Sequence, residues 1–324
     1  MGNMTTNYAD DILRGIPLAI ARVITWLENE DERARPTMEE IYPHTGSAYI
    51  VGLTGSPGTG KSTLTDGVTW QMRQRNLTVG IIAVDPSSPF TGGALLGDRI
   101  RMTRHSEDSG VFMRSMATRG ALGGLAQFTQ GATKVLDASG KDVVIIETVG
   151  VGQDEVDIMR VADTTCVVLV PGLGDVIQSM KAGIMEIADI YVVNKADHPG
   201  SDQLYSEVMY RVEQDVHMKG RKWVPPVIKT VAVEGKGEDE LLDAIMTHHK
   251  YLVNSGDLLV KRRERTRQET LQMIHHELFC QIEARLCEDN QIEKMVEAIM
   301  DHKLNPYNVV EQVVGKWLPS LKKA

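Results

Sequence analysis

Residues Gly55 to Ser62 read G-S-P-G-T-G-K-S, a glycine-rich run closed by Lys-Ser. Glycines at this spacing let backbone amides turn toward phosphate oxygens, and a helix beginning just after them adds the positive end of its dipole. On the G-x-x-x-x-G-K-[ST] pattern, Gly55, Ser56, Pro57, Gly58, Thr59, Gly60 and Thr63 form or flank the cradle. Lys61 reaches the β- and γ-phosphates, and Ser62 ligates Mg²⁺. A plain glycine-rich turn is the bland alternative. The position of the motif, between an apolar strand and a helical stretch, is what its mechanism requires.

Two further stretches bear on the same chemistry. "VNKAD" follows an apolar run and supplies N-K-x-D as Asn194, Lys195 and Asp197. An aspartate there accepts two hydrogen bonds, from guanine N1–H and the 2-amino group, and adenine offers neither donor in that arrangement. Sites built on such bonds reject the wrong partner by roughly 10⁴-fold. Downstream, "TVAVEGKG" supplies the last guanine contact through the backbone amide of Ala232, flanked by Val231 and Val233. The apolar run "DVVIIETVG" ends at Glu147 and Gly150. A carboxylate at the mouth of a buried strand often organises magnesium in a phosphate-handling enzyme, and most such enzymes use the shorter aspartate.

The elements that must position these groups follow from pattern. Residues 8–46 are apolar at helical spacing (Ile12, Ile16, Ile20, Val23, Ile24, Leu27), with a break at Pro36. From Ala48 to about Ser255, seven apolar strands alternate with helical stretches, which predicts a mainly parallel sheet flanked by helices. After Gly256 the chain reads as charged helix. The expected division is an N-terminal helical extension over 1–47, a nucleotide-binding α/β domain over 48–255 and a C-terminal helical arm over 256–324. The basic cluster Lys261–Arg267 reads as a solvated helix face or interface rim. A lone charged helix cannot bury its apolar stripe of Leu271, Ile274, Leu278, Ile282 and Leu286, so the arm is expected to form a homodimer.

Bulk properties narrow the class. The chain has 324 residues, 42% hydrophobic and 24% charged, with a net charge of −9, which argues against a general nucleic-acid or anionic-membrane binder. Three scattered cysteines give no disulfide framework and suit a reducing, cytoplasmic setting. No apolar run approaches a membrane span, and the acidic N-terminus lacks the basic region of a signal peptide.

With P-loop, strand-end glutamate and N-K-x-D in that order, the chain resembles the P-loop GTPases that serve metal and cofactor trafficking, in which the strand-end carboxylate is a glutamate. "AVDPSSPFTGGALLGDRIRM", "ETVGVGQ" and "PGLGDVIQSMKAGIMEIADIYVVNKAD" look like the methylmalonyl-CoA mutase-associated GTPases of the MeaB, ArgK and MMAA type. The resemblance covers nearly the whole chain. It implies a GTP-hydrolysing chaperone that gates adenosylcobalamin delivery to a cobalamin-dependent acyl-CoA mutase and protects or reactivates it. An adenosyltransferase is a second candidate partner, and adenosylcobalamin enters only through the mutase. Residue by residue, Asp85 and Asp98 match the family's acidic switch positions around Mg²⁺, and Glu147 is expected to reach the metal shell through water. Three carboxylates facing one triphosphate make sense only with a divalent cation between them. A third switch falls at residues 172–186, where the family's "GDELQGIKKG" appears as "GDVIQSMKAG". Asp175, Gln178 and Lys181 remain, with Lys181 the candidate contact for hydrolysis, while Val176, Ser179 and Ala182 differ. Many small GTPases place a water-orienting glutamine directly after the DxxG glycine; here Val151 follows Gly150, and Gln153 stands two residues further on.

Other motifs weigh less. Asp215 to Gly220 fits the D-x-H-x-x-G pattern of cobalt-ligating modules through His217, yet it ends an amphipathic helix and no Gly-Gly follows. His276 and Cys280 share a helix face, but two ligands do not make a zinc site. Two other readings stay open. A nickel-inserting GTPase would carry metal ligands near its switches, where only His105 stands between Asp85 and Arg160. A transport-associated ATPase or kinase is opposed by Asn194 and Asp197.

Overall fold

A computed structural model of the chain describes residues 7–85, 103–117, 124–148, 160–172, 186–219, 222–287 and 290–317. Among the described residues seven strands form one sheet: β1 Tyr49–Thr54, β2 Val79–Asp85, β3 Val111–Ala117, β4 Val143–Thr148, β5 Thr164–Leu169, β6 Ile190–Val193 and β7 Val227–Lys229. Their order is β3-β2-β4-β1-β5-β6-β7, and every pairing is parallel. This is the α/β sheet expected from the continuous apolar strands, which have no solvent-facing side to signal by alternation.

Alternate residues of each strand serve opposite faces. On one face Ile82, Val84, Val144 and Ile146 pack against helices α1 (Tyr8–Leu13), α2 (Pro17–Glu28) and α3 (Ala34–Ile41), through Ile12, Ile20, Val23, Ile24 and Ile41. The N-terminal helices therefore share the core of the sheet. On the other face Val51, Leu53, Val143, Ile145 and Val168 pack against Leu64, Val68 and Met72 of α4 (Lys61–Gln74). After α5 (Gly124–Ala138) and α6 (Ser201–Lys219), helix α7 (Glu238–Ser255) covers the same face through Leu241, Leu242 and Ile245.

The chain separates into two compact units, residues 1–263 and 264–324. The long helix α8 (Asp257–Cys287) begins in the first. The second unit comprises the rest of α8, α9 (Gln291–Met300) and α10 (Pro306–Trp317), and none of the residues described in α8 and α9 is buried. Leu271, Ile274 and Leu278 of the anticipated stripe are exposed, and Ile282 and Leu286 are half-buried. His276 Nε2 and Cys280 Sγ lie 3.6 Å apart on an exposed turn. His217 falls within α6, though its side chain is outside the described set.

A polar cluster closes the N-terminal end of the sheet. His248 of α7 is buried; its Nδ1 and the Thr164 hydroxyl share a 2.6 Å hydrogen bond, and its Nε2 lies 3.6 Å from Asp189. Burial pushes the imidazole down to about 4; Lys261 and His249 act in the same direction, and Asp189 and Asp163 oppose it. The unfolded chain binds a proton near pH 6.5 that the folded chain refuses until about pH 4, so stability is lost as pH falls through that window. We expect the loss to be about 3 kcal/mol. His248→Gln should flatten the dependence of unfolding free energy on pH between those limits; parallel curves for variant and wild type would refute the assignment.

Candidate active site

The motif residues meet at the C-terminal ends of the central strands, where parallel α/β sheets bind ligands. The run after β1 folds as a tight loop, with Thr59 N–H donating to Ser56 O at 3.3 Å and the Thr59 hydroxyl to the same oxygen at 2.9 Å. Gly55 and Gly60 are required by geometry. Both have positive φ, +147° and +89°, and a Cβ would stand 2.2 Å from Val168 O at Gly55 and 2.4 Å from Asn194 Nδ2 at Gly60. Gly60 caps α4, whose first turn carries Lys61, Ser62 and Thr63. The Lys61 ammonium is buried and donates to Gly55 O at 2.5 Å and Ser56 O at 2.9 Å, so it is held across the mouth of the loop.

The longer side chain of Glu147 has a geometric use here. It shares strand parity with Val143 and Ile145, hence points to the α4 face. In register it lies level with Leu53 and Ala83, so the carboxylate must reach across to the helix. Ser62 Oγ donates to Glu147 Oε1 at 2.6 Å and Thr65 Oγ1 to Oε2 at 3.0 Å. An aspartate there would end one C–C bond, about 1.5 Å, nearer the strand and further from both hydroxyls. Asp85 closes β2 beside this row, paired in register with Ala117 of β3; its side chain is outside the described set. Asp98, Gly150, Gln153 and Lys181 lie outside the described residues. The hydroxyl of Ser62 and the carboxylate of Glu147 are hard oxygen donors converging beside the phosphate cradle, the donor chemistry Mg²⁺ takes.

On the base side, Asn194 is buried and uses three bonds to tie three loops together. Its Nδ2 donates to Thr59 O at 2.8 Å; its Oδ1 accepts from the Thr230 hydroxyl at 3.0 Å and from Ala232 N–H at 3.2 Å. The Ala232 amide expected to face guanine is thus shared with Asn194. Lys195 adopts a positive φ of 54°, uncommon for a residue with a Cβ, and its ammonium donates to Gly58 O at 3.0 Å. Val231 and Ala232 are buried, whereas Val233 points outward, 84% exposed. The Asp197 carboxylate is 47% exposed, with Oδ2 3.8 Å from His198 Nε2. Thr65 and Thr230 are site residues the motifs did not indicate. Thr65 could have been found from its spacing, three residues beyond Ser62 on one helix face.

The fold and this site define a P-loop GTPase. The family model described as "Methylmalonyl Co-A mutase-associated GTPase MeaB" matches residues 20–286, and the chain belongs to that family. A relative from Pyrococcus horikoshii is 50% identical over 309 residues, covering 94% of this chain and 96% of its own. "GTPase ArgK" from Escherichia coli is 32% identical over 307 residues, covering 93% and 92%. "Methylmalonic aciduria type A homolog, mitochondrial" from Mus musculus is 31% identical over 261 residues, covering 80% of this chain and 63% of that one. The solved structure of an "LAO/AO transport system kinase" aligns with a TM-score of 0.70 at 26% identity, covering 97% of this chain and 98% of the other.

If Asp197 reads the base, GTP and GDP bind far more tightly than ATP and ADP, by roughly 10⁴-fold. Asp197→Asn should move preference toward xanthine nucleotides, whose 2-oxo group accepts from the amide. Calorimetry placing ATP within a few-fold of GTP would contradict this.

Proposed function

We propose that this protein is a GTP-hydrolysing chaperone of an adenosylcobalamin-dependent acyl-CoA mutase, gating cofactor delivery and protecting or reactivating the enzyme. The observation that carries this reading is the family match over 20–286, whose description names such a mutase. The mouse relative's name, methylmalonic aciduria type A homolog, supports it.

In the proposed cycle the P-loop amides and Lys61 hold the phosphates, and Asn194 and Asp197 hold the base. Ser62 and Glu147, with Asp85 and Asp98, hold Mg²⁺, which when bound offsets the charge on the β- and γ-phosphates. Adenosylcobalamin is carried by the mutase rather than by this chain, and an adenosyltransferase is a candidate supplier. A homodimer is supported by the apolar side chains that a single chain leaves uncovered in residues 264–317, among them Ile274, Phe279, Met300 and Tyr307. Among the described residues no helix is long and apolar enough to cross a membrane, which fits the cytoplasmic setting we propose.

A nickel-insertion role is less well supported. His105, the candidate ligand, is buried with Nε2 3.1 Å from Asp66 O and 3.3 Å from the Asp66 carboxylate, so it is already engaged on α4. The chaperone reading requires that GTP and GDP change mutase affinity differently, since nucleotide can gate loading only through such coupling. Calorimetry against a purified cobalamin-dependent mutase tests this, and equal affinity in both nucleotide states would sink the gating claim.

A further inference from the structure

Thr65 lies one turn beyond Ser62 on α4, and its side chain is fully buried. A threonine inside a helix commonly turns its hydroxyl back to the carbonyl four residues earlier. Thr65 instead donates to Glu147 Oε2, while Ser62 donates to Oε1. One helix face thus grips both oxygens of a single buried carboxylate. Without the inner grip Oε2 would lose this donor, and the terminal torsion of Glu147, a broad and soft rotor, would be less restrained. Thr69, one turn further along α4, supplies an internal comparison: it is equally buried, and its hydroxyl has no hydrogen-bond partner among the described residues.

We propose that Thr65 is a positioning residue for magnesium, its hydroxyl orienting the Glu147 carboxylate so that Oε1 faces Ser62 and the metal shell. The inference rests on the reading that Ser62 and Glu147 serve Mg²⁺. Groups that orient a metal's ligands typically change metal affinity about 10- to 100-fold when removed.

The test uses the full chain and a fluorescent, non-hydrolysable GTP analogue, titrated with Mg²⁺ and also bound in EDTA. For Thr65→Val, an isosteric change, we expect the half-saturating Mg²⁺ concentration to rise roughly tenfold, with nucleotide affinity in EDTA unchanged. Thr65→Ala should repeat that shift if the valine variant folds poorly, Thr65→Ser should restore the wild-type titration, and Thr69→Val should leave it alone. The proposal is overturned if Thr65→Val and Thr65→Ala titrate as wild type. It is equally overturned if they lose nucleotide affinity to the same extent with and without Mg²⁺, the mark of a merely structural role. Glu147→Gln separates the layers: a shift there without one at Thr65 removes only the positioning role. No shift at Glu147 removes the magnesium assignment beneath it, and the Thr65 proposal with it.

Discussion

Replacing Lys61 with alanine is expected to lower kcat/KM for GTP by at least 10²–10³-fold, the order seen when one preorganised donor to developing charge is removed. The side chain is buried, and its ammonium is fixed by the carbonyls of Gly55 and Ser56 across the phosphate loop. Charge on a transferring phosphoryl group is stabilised by groups positioned before the reaction, and Lys61 is the P-loop cation placed for that role. The packing of α4 on the sheet rests on Leu64, Val68 and Met72, which the substitution leaves in place. Circular dichroism should therefore remain native while turnover collapses. Native dichroism with unchanged turnover would show that the loop does not serve phosphate.

The second large effect is on stability, at the opposite end of the sheet. Asp163 is fully buried just before β5, where it accepts from Ile50 N–H at 3.1 Å. Its charge is met by Arg262, near the start of α8, through Nε at 3.2 Å and Nη2 at 2.7 Å. The same guanidinium donates to Ala48 O at 2.7 Å and to Gly46 O. Removing one partner of such a pair strands a buried charge, so Arg262→Ala should cost about 3–5 kcal/mol. Arg262→Lys should recover only part of it, because an ammonium cannot reproduce the planar fork. Urea unfolding measures both. A loss below about 1 kcal/mol for the alanine variant, the range of an exposed pair, would contradict this account.

Arg262 also shows where pattern stopped being informative. In the sequence it is one cation in the run Lys261–Arg267, indistinguishable from a solvated helix face; its buried partner lies 99 positions away. By contrast, the sheet was legible because a parallel sheet covered on both faces writes each strand as an unbroken apolar run, as in Val143–Ile146. The phosphate loop and N-K-x-D were legible because their chemistry is local in sequence. What joins them is not local. Asn194 bridges Thr59 and Thr230, and Glu147 finds Ser62 and Thr65 on a helix 82 or more residues earlier. Sequence gave a reason to expect Ala232 at the base, but not that Asn194 would share its amide.

The proposed work of this GTPase for a cobalamin-dependent mutase is put to the test by steady-state GTP turnover with and without such a mutase. Val151, where many small GTPases place a water-orienting glutamine, has no polar group to orient the attacking water, and the sequence motifs assign no cation to transition-state charge beyond Lys61. Intrinsic turnover is therefore expected on the order of 10⁻⁴–10⁻² s⁻¹, the range of GTPases without outside help. A mutase that contacts the expected switches at residues 86–98 and 172–186, with Lys181 as the candidate contact, is proposed to supply that geometry. We expect slow turnover alone and a rise of tenfold or more, roughly 1.4 kcal/mol of barrier, when the purified mutase is added. Fast turnover by the isolated protein, unchanged by any cobalamin-dependent mutase, would contradict it.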